Sequence, residues 1–137
     1  MKLDCALLCD AVTAREGLLN VLGAGITRVT HDSYPAQFDG GLALRIMLHP
    51  TETGRSHGLQ VILQTEDGRR LAELNGQFQS DLPGDMAPGE EVSLPLAMQF
   101  QGPLPVPGAY SFELLIDDHH QVSVPFRAVQ RPSGQEA

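Results

Sequence analysis

The sequence predicts an all-β chain, folded as an antiparallel β-sandwich of immunoglobulin-like size with about eight strands. Three observations predict it. Apolar residues recur at every second position in run after run, as in strands with one buried face. Turn chemistry fills the gaps between the runs. No stretch of about twelve residues carries the 3.6-residue period of an amphipathic helix.

In chain order, the first run alternates Leu3, Cys5, Leu7, Cys9 and Ala11, which assigns those residues to the core. Ala6, Leu8 and Val12 then fall on the opposite face, between Asp4 and Asp10. A strand apolar on both faces needs cover on both. With no helix to supply it, Ala6, Leu8 and Val12 are expected to meet a second copy about a two-fold axis. "AREG" (14–17) turns the chain into "LLNVLGAGITRV", a strand that must bend or bulge at its glycines. "LALRIMLH" (42–49) sets Leu42, Leu44, Ile46 and Leu48 against Ala43, Arg45, Met47 and His49.

The loop "PTETGRSHG" leads to "LQVILQTE" (59–66), with Leu59, Val61, Leu63 and Thr65 on one face. Asp67–Gly68 is a two-residue hairpin signal, with positive φ expected at both positions. Past the Pro/Gly loop "LPGDMAPGE", "EVSLPLAMQF" alternates Val92, Leu94, Leu96, Met98 and Phe100. "AYSFELLI" alternates Tyr110, Phe112, Leu114 and Ile116, and "QVSVPFRAV" alternates Val122, Val124, Phe126 and Ala128. Pro95 and Pro125 cannot donate to a ladder, so their strands should be edges or bulged there. One core is expected to unite Leu7, Val21, Leu44, Leu63, Phe78, Leu96, Phe112 and Phe126. Residues 1–130 are expected to form the single sandwich domain, and 131–137 ("RPSGQEA") a flexible polar tail.

At 137 residues the chain is one domain's length. Its net charge of −8, with nine scattered basic residues, disfavours nucleic acid and anionic membranes as partners. "MKLDCALLCDAV" has no long apolar run, which argues against a signal peptide or a membrane span. Cys5 and Cys9, on one strand, would lie roughly 13 Å apart, beyond the ~7 Å reach of a disulfide. Two unpaired thiols suit the cytoplasm.

"VLGAGITRV" (21–29) resembles the start of a dinucleotide-binding fingerprint. Such a fingerprint needs a third glycine and a following helix. Arg28 stands where that glycine belongs, and the β-branched run after it ends at Pro35. No nucleotide cofactor, or any other, is expected.

The same stretch carries another likeness. "ALLCD", "GLLNVLGAGITRV", "LALRI", "GRSH" before "LQVILQTEDGRRL", "PGAYSFELLIDD" and "VPFRAV" together span residues 5 to 129. This pattern resembles a widespread family of small bacterial proteins of unknown function. Its members open on Ala-Leu-Leu-x-Asp, follow with a Leu-Asn-Val-Leu-Gly hairpin, and place Arg-x-His before a strand ending in Asp-Gly. Leu19 stands where the family's hairpin often has Lys, and Ala24–Gly25 are extra. The resemblance implies a β-sandwich and no particular activity.

No histidine pair has a familiar metal spacing, so no metal site is expected. "DDHH" (117–120) reads as a solvated hairpin turn. Ser56 and His57 are adjacent in extended chain and point opposite ways, so they cannot pair as nucleophile and base. Arg45, Glu52, Arg55 and His57 match the family's polar positions and are expected to cluster at one sandwich end as a recognition patch. The chain therefore reads as a non-catalytic binding or interaction module whose partner is a protein or a second copy. Two alternatives are a small enzyme with a loop-end site around His57 and Arg45, and a structural subunit of a larger bacterial or phage-derived assembly.

Overall fold

The computed structural model describes residues 1–132. The chain runs through β1 (Lys2–Cys9), β2 (Ala11–Arg15), β3 (Leu18–Leu22), β4 (Arg28–His31), β5 (Ala36–Leu48), a 3₁₀ turn at Pro50–Glu52, β6 (His57–Thr65), β7 (Arg70–Phe78), β8 (Val92–Leu104), β9 (Gly108–Ile116) and β10 (His119–Gln130). A three-stranded sheet, β1-β5-β8, packs against a five-stranded sheet, β4-β10-β9-β6-β7, and β2-β3 form a separate hairpin. The all-β sandwich expectation holds. Among the described residues there are ten strands instead of about eight, because the first run breaks at Asp10 and the glycine-rich run divides into β3 and β4.

The period-two runs land as their spacing requires. Leu42, Leu44, Ile46 and Leu48 of β5 face Val61 and Leu63 of β6, and Phe112 and Leu114 of β9, across a buried core. Phe112, fully buried, lies at the centre of an aromatic group, with ring centroids 5.1 Å from Phe38, 5.0 Å from Phe100 and 5.6 Å from Phe126. Of the expected core, Leu44, Leu63, Phe78, Phe112 and Phe126 are buried and Leu96 packs at its margin. Leu7 and Val21 do not belong to it, and Leu7 is 39% exposed.

Leu7 is exposed because β1 changes phase. Its register with β5 slips between Leu3 and Cys5, leaving Asp4 as an extra residue. A one-residue slip carries every following side chain to the other face. Leu8 therefore pairs with Leu42 on the core side and is 1% exposed, and Ala6 packs against the core beside it. The expectation that Ala6, Leu8 and Val12 form an exposed dimer face is thus corrected.

The outer side of β1 is covered only at its end, where Cys9 is buried while Leu7 stays exposed, and the chain itself supplies that cover. Hairpin β2-β3 folds back over the outer face of the three-stranded sheet, where Cys9 and Ala43 are fully buried. The approach is close: a Cβ on Gly41 would stand 2.9 Å from Val12 Cγ1 and 3.0 Å from Cys9 Sγ. Its two-residue turn has positive φ at both Glu16 and Gly17, the geometry that matches strand twist.

The glycines of "VLGAGITRV" serve the return from this hairpin to β4. Gly23 has φ +63°, and the amides of Gly25 and Ile26 both donate to the Leu8 carbonyl, at 2.9 and 3.1 Å. At the β6-β7 turn only Gly68 has positive φ, and its amide donates to the Thr65 carbonyl at 3.0 Å. That turn is a glycine-bulge hairpin rather than the two-residue type. Pro95 lies on β8, an edge strand. Pro125 lies on β10 just before its pairing with β4 begins at Arg127, so its missing N–H costs no ladder bond. Arg131 donates its amide to the His31 carbonyl and its guanidinium to Asp32, both at 2.9 Å. Of the expected tail, residues 133–137 lie outside the described residues.

Candidate functional site

The strongest polar constellation is a corner where β6 begins and the β9-β10 turn closes. His57 opens β6 on its core-facing side, stacked on Phe78 at 5.5 Å and 3% exposed. An imidazole buried this far must have its nitrogens satisfied. Nδ1 meets Asp117 Oδ2 at 2.8 Å, and Nε2 meets the Glu52 carbonyl at 2.8 Å. The other Asp117 oxygen accepts the Gly58 amide at 2.8 Å, and the Asp117 amide returns a bond to the Gly58 carbonyl at 3.0 Å.

The partners decide the protonation state. A backbone carbonyl only accepts, so Nε2 must donate to it. A carboxylate also accepts, so Nδ1 donates as well. An imidazole that donates from both nitrogens is an imidazolium. The Glu52 carbonyl, reinforced by Asp117, raises the His57 pKa above its ordinary value against the pull of burial. The His57 hydrogen bond, with the Gly58 amide behind it, lowers that of Asp117.

Around this pair the chain is held by further bonds. The 3₁₀ turn is capped by His49, whose Nδ1 accepts the Thr51 amide at 3.2 Å. The Glu52 carboxylate accepts the His49 amide at 2.9 Å and the Met1 ammonium at 2.7 Å. Burial pushes the Glu52 pKa up, but these two donors more than offset it.

The structure brings together part of the expected patch. Glu52 and His57 meet at the corner, and the exposed Arg55 guanidinium lies near enough to act on His57 and Asp117 by charge. Arg45 does not join them. It points from the outer face of β5 and grips Asp4 with two bonds, Nε to Oδ1 at 2.9 Å and a terminal nitrogen to Oδ2 at 2.5 Å. The bulge that turns Leu8 inward also sets Asp4 beside Arg45. Arg45 instead walls a groove of about 530 Å³ under the hairpin, with Cys5, Leu18, Leu19, Ser93 and Pro95.

Asp117, missed as a site residue, comes from the turn expected within "DDHH". Asp117 and Asp118 both have positive φ there. A second cluster lies on the outer face of the five-stranded sheet. Ser123 Oγ donates to Glu113 Oε1 at 2.5 Å, and His120 Nε2 lies 3.3 Å from both. A relay of the serine-hydrolase kind places the imidazole between nucleophile and carboxylate, using both its nitrogens. Here one nitrogen faces both groups, so the geometry is not that of such a relay. Among the described residues, no group of three or more His, Cys, Asp or Glu converges as metal ligands would. Nor, among the described residues, is any helix long and apolar enough to cross a membrane.

These features define a small β-sandwich with a hairpin cover from its own chain and a corner pinned by histidine. Residues 4–129 match the model of a family of unknown function, DUF6941, and the chain belongs to that family. The likeness expected over residues 5 to 129 is thereby borne out. Among curated proteins, none matches the chain.

Proposed function

We propose that the chain is a non-catalytic interaction module that engages a protein partner through a sheet edge. The observation that carries this reading is β7, a nine-residue strand at the rim of the five-stranded sheet. Its residues Glu73–Gln77 are all exposed, among them Leu74 at 37%. A long edge presents unpaired N–H and C=O groups, a template for pairing with another strand.

The corner favours this reading over catalysis. A general base needs a free nitrogen near the proton it takes, and both nitrogens of His57 are engaged. Arg45 lies on the outer face of the other sheet. A subunit of a larger assembly would use the same edge and would need at least one further interface. The free thiols of Cys5 and Cys9 support a reducing compartment such as the cytoplasm.

Co-purification from the native host with tagged parent, Leu74→Lys and Arg45→Ala chains tests the proposal. Protein partners, including untagged copies of the chain, are expected with the parent and with Arg45→Ala, and lost with Leu74→Lys. Unchanged recovery with Leu74→Lys, or loss with Arg45→Ala alone, contradicts it.

A further inference from the structure

We infer that the strand taken up by the β7 edge is β7 of a second copy, paired antiparallel about a two-fold axis at Leu74. The two five-stranded sheets then continue into one another. This inference rests on the interaction-module reading and names its partner.

Comparison of the edges selects β7. β4 has only four residues, and the hairpin strands β2 and β3 have five each. β8 carries Pro95 and Pro103, which lack the N–H a new neighbour would need. β1 is bulged at Asp4. Short length, proline and bulges are the devices that keep edges from pairing. β7 has no proline. Its one irregularity is at its start, where the pairing steps from Leu63–Ala72 to Gln64–Arg70 and skips Leu71. Ala72–Phe78 remain regular and in register with β6.

Side-chain complementarity selects the register. A two-fold axis normal to the sheet keeps core-side residues opposite core-side residues. Centring it on Glu73 would set two carboxylates face to face, which is repulsive. Centring it on Leu74 sets that half-exposed leucine against its copy. Glu73, whose carboxylate already accepts the Gln60 amide and lies beside Asn75 of its own chain, then faces the second copy's Asn75, whose amide can donate to a remaining carboxylate lone pair, and Ala72 faces Gly76. Gly76 is an open position: a Cβ there would find nothing within 4 Å. Each copy carries a net charge of −8, so added salt should tighten the pairing by screening repulsion between the copies.

Analytical ultracentrifugation of the purified full chain, up to high micromolar concentration, tests this. The parent should sediment as a dimer that tightens with salt. Leu74→Lys should weaken it on the order of tenfold or more, and Asn75→Lys, placed opposite Glu73, should strengthen it. In a Cys5→Ser background, Leu74→Cys should form an intermolecular disulfide on mild oxidation, whereas Leu18→Cys on the exposed hairpin should not. This cross-link and the Asn75→Lys result decide the matter if Leu74→Lys fails to fold.

A dimer indifferent to all three β7 changes would overturn this pairing and leave self-association standing. A monomeric parent that still captures host proteins through Leu74 would overturn the second copy as occupant and keep the module reading. A monomer that captures nothing would overturn both.

Discussion

His57 and Asp117, sixty residues apart in the chain, meet through a 2.8 Å hydrogen bond that closes the sandwich corner. The bond joins the start of β6 to the β9-β10 turn. With the Glu52 carbonyl on its other nitrogen, the buried ring holds three segments together as a cation.

That arrangement makes stability depend on pH with a definite sign. The folded-state pKa of His57 is raised above its ordinary 6.5. Its contribution is therefore complete below that value and is lost as pH rises through the folded-state pKa. The pKa of Asp117 is lowered from 3.8, so its contribution is complete above that value and is lost as pH falls through the folded one. The tie is strongest between about pH 4 and 6.5. Thermal melts of parent and His57→Gln should differ most in this window and converge as pH rises above it. A gap that stays constant from acid to alkaline pH contradicts the charged tie.

The hairpin cover predicts an intolerance at Gly41. A methyl group there would press on Val12 Cγ1, Cys9 Sγ and Gln99 Oε1, each within 3.0 Å. Gly41→Ala should cost about 1–3 kcal/mol, as overpacking does. Urea unfolding measures the loss, and proteolysis near Glu16–Gly17 should accelerate as the hairpin lifts. Parent-like stability and cleavage would mean the hairpin does not seal this face.

Leu8 now belongs to the core, which reverses the behaviour expected of an interface residue. Leu8→Asp places a carboxylate opposite Leu42 with no partner. The variant should lose its cooperative thermal transition and β-sheet circular dichroism, instead of changing its mass at constant fold. A folded Leu8→Asp chain would return Leu8 to the surface.

The two thiols should react in sequence. Cys9 is fully buried, and burial, with Asp10 beside it, raises its pKa. Cys5 is half-buried and borders the groove under the hairpin. A thiol reagent at neutral pH should label Cys5 in the native state and Cys9 only in denaturant. Equal native rates would contradict the hairpin's cover of Cys9.

The parts of this fold that could be read in the sequence are those where one periodicity decides the outcome. The alternation in β5, β6, β8 and β9 survives intact because each strand keeps one face on the core. In β1 the alternation points to the wrong faces beyond Asp4, since the bulge there leaves no mark in a run apolar on both sides. The cover over β5 and β8 is not legible, because a hairpin of two five-residue strands carries too little pattern to show where it docks. Arg45 and His57 were separable in principle: Arg45 alternates with core residues and must point outward from its sheet. The contact with Asp117 spans distant turns, and only the three-dimensional fold brings it about.

The proposed working surface is the free edge of β7, not the His57 corner. Hydrogen exchange of the backbone amides measured against protein concentration tests it most directly. Outward-facing amides within Glu73–Gln77 are expected to gain protection as concentration rises, while those flanking His57 keep theirs unchanged. Exchange in Glu73–Gln77 that ignores concentration, with protection growing at another edge or at the corner, would contradict it.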